Sequence, residues 1–266
     1  LPIISDELGG VSLYGWVFSA FFLGSLASVI VAGGIADQRG TLLPYSVGLT
    51  LFAVGLATAG AAPAMPVVVA GRLVQGIGSG AILASTYASI ARGYTERQRP
   101  RMFAIISTAW VLPAIVGPAA AAFIATAFGW RVVFFSLLPF AAVAATLAVP
   151  ALRELGAPET PGHRASRRDA VLVAIGGGLL LAGLSNSTPA LAIALLVAGA
   201  AIGIPALRRV APAGTLTGGT GLGAAVLVRG LLTFAFFGTE GFLPLMLREH
   251  VAVPVERPCH VHDGRD

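Results

Sequence analysis

The chain is written as a succession of long apolar runs, and that pattern leaves few folds open to it. Runs stand at about 12–36, 42–62, 66–91, 102–127, 131–150, 170–186, 189–207 and 223–247. Each has, or nearly has, the roughly 20 residues that a helix needs to cross roughly 30 Å of hydrocarbon. Lipid offers no partner to a backbone amide, so a spanning segment must satisfy its own amides, as a helix does. Composition agrees. Of the 266 residues, 56% are apolar and 11% are charged, against roughly 25% charged in a soluble domain. A soluble protein built this way would expose large apolar patches. The expected fold class is all-α: a polytopic transmembrane helix bundle with about eight spans. The sixth and seventh runs are the shortest. They read as two crossings, with a single re-entrant hairpin as the alternative.

The polar connections between the runs alternate in charge. Asp6 and Glu7 precede the first run, and no base stands beside them. Asp37 and Arg39 follow it, and Ala62-Pro63-Ala64 carries no charge. The next connection holds Arg92, Arg97, Arg99 and Arg101 against Glu96, and the one after is Phe128-Gly129-Trp130-Arg131. Then come Arg153, Arg164, Arg167 and Arg168, an uncharged 185–188, and Arg208 with Arg209. Arginine thus gathers in every second connection, which the positive-inside rule places in the cytoplasm. The net charge of +5 rests on 17 basic residues, all of them Arg. Their place in short loops between apolar runs suits membrane topology and gives no sign of a nucleic-acid partner. Residues 1–150 form a front bundle, 151–169 a cytoplasmic linker, 170–247 a back block and 248–266 a polar tail that cannot span. One Cys excludes an internal disulfide. No cleavable signal peptide is visible, and no period of 20 to 50 residues suggests a solenoid.

Four places carry residues that a lipid-embedded chain has little reason to keep. The first is Gly33-Gly34-Ile35-Ala36-Asp37-Gln38-Arg39-Gly40. An acid at a cytoplasmic helix end before a tight glycine turn either holds a gate by charge pairing or is an ordinary charged loop. The second is Gly71-Arg72-Leu73-Val74-Gln75-Gly76-Ile77-Gly78-Ser79-Gly80. Arg72 lies roughly 8 Å inside its run. It faces a polar cavity or partner, or else snorkels to the headgroups. Arg72, Gly76 and Gly80 recur every fourth residue and share one helix face, where glycines admit a neighbouring backbone. The third is the stretch with Pro113, Gly117 and Pro118, followed by four alanines. Each proline removes an amide and clashes with the preceding turn, so a bend is expected. The fourth is the last run, with Arg229 and Glu240 about three turns apart on nearly one face. Phe234, Phe236, Phe237 and Phe242 surround Glu240 in sequence. A carboxylate buried in lipid can take up and release a proton near neutral pH. The alternatives are a place near the outer surface or a fixed pairing with a base.

Other chemistries lack support. Cys259, His260 and His262 of the tail want a fourth ligand and a scaffold, so no metal is expected. No phosphate-cradling loop suggests an ATP-driven pump. No nucleophile–base–acid or zinc-protease pattern suggests an enzyme, and no cofactor is implied.

Taken together, the motifs resemble those of the major facilitator superfamily, most closely its fourteen-helix drug:proton antiporter branch. Gly33 to Gly40 is similar to the superfamily's loop motif after its second helix. Asp37 and Gly40 match, while Gln38 replaces an Arg, and Thr41 and Leu42 replace basic residues. GRLVQGIGSG resembles the fourth-helix motif, with Arg72 at the arginine linked to proton coupling. VGPAAAA resembles the fifth-helix antiporter motif through Gly117 and Pro118, with Ala in place of a glycine pair. FGWRVVFF resembles the start of the sixth helix, and LVRGLLTFAFFGTEGFLPLML resembles the ninth. The resemblance covers about residues 1–250. It implies proton-coupled efflux of small amphipathic compounds by a multi-pass plasma-membrane protein, with the proton gradient as energy source. Its partners are a small-molecule substrate, protons and the lipid bilayer. Arg72 and Glu240 are the implied proton-coupling residues. Gly33, Asp37 and Gly40 are the implied gate, and Gly117 and Pro118 the implied bend. The rivals are a proton-coupled uptake symporter on the same fold and an inactive fragment or membrane scaffold. The same resemblance reads residues 1–10 as the outer end of a first helix otherwise missing. It reads 170–247 as two extra helices plus the first helix of a C-terminal bundle. The polar tail then reads as a frameshift or premature end, with the last five helices absent.

Overall fold

The computed structural model describes residues 4, 7–8, 13–158, 167–184, 186, 188–211, 221, 223–233 and 235. All regular structure among them is helical. In chain order the elements are α1 (Tyr14–Arg39), α2 (Leu42–Gly60), α3 (Met65–Gly93), α4 (Arg99–Phe128), α5 (Trp130–Phe135), α6 (Leu138–Leu155), α7 (Arg167–Leu184) and α8 (Pro189–Val210). Residues 211–266 form a separate unit, of which the short apolar helix α9 (Gly223–Thr233) is described.

Local chemistry places the ends. Pro66, Pro100 and Pro139 stand in the first turns of α3, α4 and α6, where a missing amide costs nothing. α1 and α4 stop at Gly40 and Gly129, with φ of 90° and 89°. Such a left-handed turn strains any residue with a side chain. Hydroxyls inside the helices turn back on their own backbone, as lipid demands. Ser85, Thr86 and Ser89 donate to carbonyls four residues earlier at 2.7, 2.8 and 2.7 Å.

Six segments are long and apolar enough to cross a membrane: Gly15–Arg39, Leu42–Gly60, Met65–Gly93, Arg99–Phe128, Trp130–Leu155 and Pro189–Val210. The expected sixth span, α7, has 18 residues, but Arg167, Arg168 and Asp169 occupy its first turn. The eighth run is described as α9 and residue 235, and the rest of it lies outside the described residues. The apolar run 131–150 is not one helix. α5 ends at Phe135, a turn passes through Ser136 and Leu137, and α6 restarts beside Pro139 and continues to Leu155.

α3 is the central element of the first unit. α1 and α2 both pack along it, α2 also meets α5 and α6, and α7 rests on α1. α7 and α8 form an antiparallel pair. Gly176 meets the backbone of Gly203, Gly183 meets Ala192 and Leu196, and Asp169 pairs with Arg209 at 3.4 Å. Their lengths are roughly 27 and 33 Å by helical rise, and of the two α8 is long and apolar enough to cross. The buried residues of the bundle are mostly small. In lipid, helices gain from close backbone packing, because burying apolar surface brings no hydrophobic gain there.

The connections sort to two ends. Glu7, Ala62, Trp130 and Arg131 converge at one end, around a cluster of Ile4, Val17, Met65 and Val68. Gly40, Arg92, Leu155 and Gly156 converge at the arginine-rich end. This is the pairing of connections that the charge alternation predicts.

Candidate functional site

Arg72 is one side chain whose place the span dictates. It sits in the second turn of α3, roughly 10 Å from the helix start by helical rise, and is half-buried. Its guanidinium has three partners. Nη1 donates to the side-chain oxygen of Gln75 at 2.6 Å, and Nε donates to the Val17 carbonyl of α1 at 3.4 Å. The charge also lies 4.4 Å from the centre of the Phe21 ring. A cation over an aromatic face gains on the order of 0.5–2 kcal/mol, more where water is excluded. Gln75 is itself buried, 3% exposed, and is therefore a positioned partner. The arginine is held inside the α1–α3 seam rather than directed outward to headgroups.

The four-residue spacing holds in three dimensions. A Cβ on Gly76 would collide with the carbonyl oxygen of Phe21, and one on Gly80 with that of Ser25. Arg72, Gly76 and Gly80 thus share the face pressed on α1. The opposite face of α3 presses on α2: a Cβ at Gly71 would lie 2.7 Å from the Ala59 amide, and Gly78 abuts Phe52 and Gly48.

The proposed gate residues lie at the other end of α1. Phe21 and Asp37 are 16 residues apart in one helix, roughly 24 Å along its axis. Asp37 is exposed, Gly33 is half-buried with open space beside it, and Gly40 is buried. Thr41, which starts α2, is fully buried; its hydroxyl makes no cap and has no hydrogen-bond partner. Beside this turn, Nη2 of Arg92 donates to the carbonyls of Gly156 at 3.1 Å and Leu155 at 3.5 Å.

Gly117 and Pro118 are not brought to Arg72. They lie on α4, which runs unbroken through Pro113 and Pro118 and has no buried residue. Nothing approaches Gly117 within 4 Å of a Cβ position, and Trp110 and Ile115 are 65% and 72% exposed. The close helix contact expected at these small residues is absent among the described residues. Glu240 lies outside the described residues; Arg229 stands exposed on α9.

Sequence reasoning did not single out Phe21, Gln75, Glu7 or Trp130. Gln75 carried a usable signal, since it stands one turn after Arg72. Phe21 carried none, because nothing in the chain tells which helix will lie against α3. Glu7 and Trp130 are 123 residues apart and meet only through the fold. The Glu7 carboxylate accepts from Arg131 Nη1 at 2.5 Å and Trp130 Nε1 at 2.7 Å. The Arg131 bond first, and the Trp130 bond second, hold its pKa below the usual 4.5. Arg131 also stacks over the Trp130 ring at 4.4 Å.

Comparison with known proteins agrees with this architecture. The chain is 33% identical over 153 residues to the Acurin A biosynthesis cluster MFS-type transporter of Aspergillus aculeatus, covering 58% of this chain and 28% of the relative. It is 31% identical over 144 residues to the multidrug transporter protein MdtP of Bacillus subtilis, covering 54% and 27%. A probable multidrug-efflux transporter of Mycobacterium tuberculosis is 30% identical over 152 residues, covering 57% and 32%. The matched stretch spans about a third or less of each relative's length. The sequence pattern of the Major Facilitator Superfamily matches residues 1–253. The chain is a multi-pass membrane protein and belongs to the Major Facilitator Superfamily.

Proposed function

We propose that this chain acts in proton-coupled efflux of small amphipathic compounds across the plasma membrane. The observation that carries the reading is Arg72, a cation held within the α1–α3 seam by Gln75, Val17 and Phe21. An intramembrane charge with dedicated partners marks an ion or substrate pathway more often than a scaffold. Relatives named as efflux and multidrug transporters support the direction of transport.

Arg72 remains protonated at any physiological pH, so its part is electrostatic. A fixed positive charge favours the ionised form of a carboxylate that comes near it. Glu240 is the group proposed to take up and release the proton. Gly33, Asp37 and Gly40 form the proposed cytoplasmic gate, and Gly117 with Pro118 the proposed bend of α4. The energy source is the proton gradient, with no cofactor.

The test is dye extrusion from everted vesicles containing the chain, energised by an inward-acid gradient. Gradient-dependent accumulation of the dye inside, collapsed by an uncoupler and reduced at least tenfold in Arg72→Gln, is the expected result. Substrate-driven proton flow in the same direction as the substrate would establish uptake symport instead. No flux above empty vesicles, with Arg72→Gln unchanged, would leave a scaffold.

A further inference from the structure

We propose that Arg92 clasps the end of α6 to the end of α3 against the α1–α2 turn, so that these three described segments move as one piece. α6 continues five residues past the apolar run and ends at Leu155. The last carbonyls of a helix have no partner within it. Arg92, in the last turn of α3, reaches across to them. Its Nη2 donates to Gly156 at 3.1 Å and, at the limit of a hydrogen bond, to Leu155 at 3.5 Å. A cation on helix-terminal carbonyls is favoured by the helix dipole as well.

The Gly156 carbonyl is approached from a second side. A Cβ on Gly40 would lie 2.9 Å from its oxygen, so the turn after Asp37 comes this near only because residue 40 has no side chain. Three segments far apart in sequence therefore meet at one carbonyl: the α1–α2 turn, the end of α3 and the residue that follows α6. Among the described residues no ion pair joins them. The junction is also incompletely satisfied, because Arg92 Nη1 and the Thr41 hydroxyl are buried without partners. It is a clasp of few bonds, suited to being opened. Its place in a transport cycle rests on the transporter reading; its existence does not.

Limited trypsin digestion of the full chain in lipid nanodiscs reads the clasp. Cutting after Arg153 requires the last turn of α6 to unwind, and its rate follows the population of that open form. Arg92→Ala is expected to speed this cut at least tenfold, while the cut after Arg168 keeps its rate. Gly40→Ala, which pushes a methyl group toward the Gly156 carbonyl, is expected to speed it severalfold. An unchanged rate after Arg153 in Arg92→Ala overturns the proposal. If that variant unfolds, cuts after Arg72 within α3 reveal it; Gly40→Ala then decides, and an unchanged rate there overturns the proposal equally. No transport is measured, so failure of the clasp leaves the efflux reading standing, and the reverse.

Discussion

At the scale of single residues, three unlike partners share the charge of Arg72: an amide oxygen, a backbone carbonyl and an aromatic face. Thr41 is the opposite case, a buried hydroxyl with no partner at the start of α2. Removing a helix cap ordinarily costs on the order of 1 kcal/mol, but here no cap bond exists to lose. Thr41→Val keeps the shape and removes a desolvated hydroxyl. The variant is expected to be stabilised by about 1 kcal/mol in denaturant unfolding in detergent, and a loss of that size would show the hydroxyl to be satisfied. Glu7 gives the pH dependence. Its pKa is lowered in the folded protein by Arg131 and then Trp130. The stabilisation is therefore fully present above 4.5 and is lost as pH falls through the lowered value. Thermal unfolding of the wild type and Glu7→Gln, followed from neutrality to about pH 3, should show curves that merge at the acid end; a constant gap excludes this account. Arg72 was legible because lipid makes any buried charge conspicuous. Its partner Phe21 was not, because an aromatic in an apolar run has no local mark.

The elements show how glycine replaces hydrophobic burial as the means of packing. α3 presses Gly76 and Gly80 on α1 and Gly71 and Gly78 on α2, while α4 carries Gly117 with nothing beside it. Both Gly76→Ala and Gly117→Ala gain the same helix propensity, on the order of 1 kcal/mol. Only Gly76→Ala forces the Phe21 backbone to retreat, an overpacking cost of about 1–3 kcal/mol. The expected outcome in detergent unfolding is a less stable Gly76→Ala beside a Gly117→Ala as stable as wild type or more so. Equal effects would mean that the α1–α3 seam is looser than the glycine contacts require. The α3 face was readable from its four-residue period alone. The break between α5 and α6 was passed over because Phe135 to Leu138 is almost wholly apolar, and hydrophobicity does not separate one helix from two. Pro139 was the available signal, since a proline restricts the residue before it and prefers a first turn.

For the whole molecule, charge pattern and three-dimensional pairing sort the connections into the same two groups, and the charge pattern assigns the sides. Arginine density assigns alternate connections to opposite sides. The fold then joins Glu7, Ala62 and Arg131 at one end, and Gly40, Arg92 and Gly156 at the other. The sequence could assign sides because a charge cannot cross lipid cheaply, and that constraint acts on each connection locally. It could not show which connections touch, because that depends on how the helices are ordered around α3. Sidedness is testable with thiols. In a Cys259→Ser background, a single cysteine at exposed Pro63 or at exposed Arg97 reports one connection each. A membrane-impermeant maleimide added to right-side-out vesicles should label position 63 and spare position 97. Everted vesicles should reverse the result. Labelling of both from one side would break the alternation and put an odd number of crossings in doubt between Pro63 and Arg97. Because α3 is then the only helix joining the two positions, that outcome would also remove Arg72 from the membrane, and with it the proposed site.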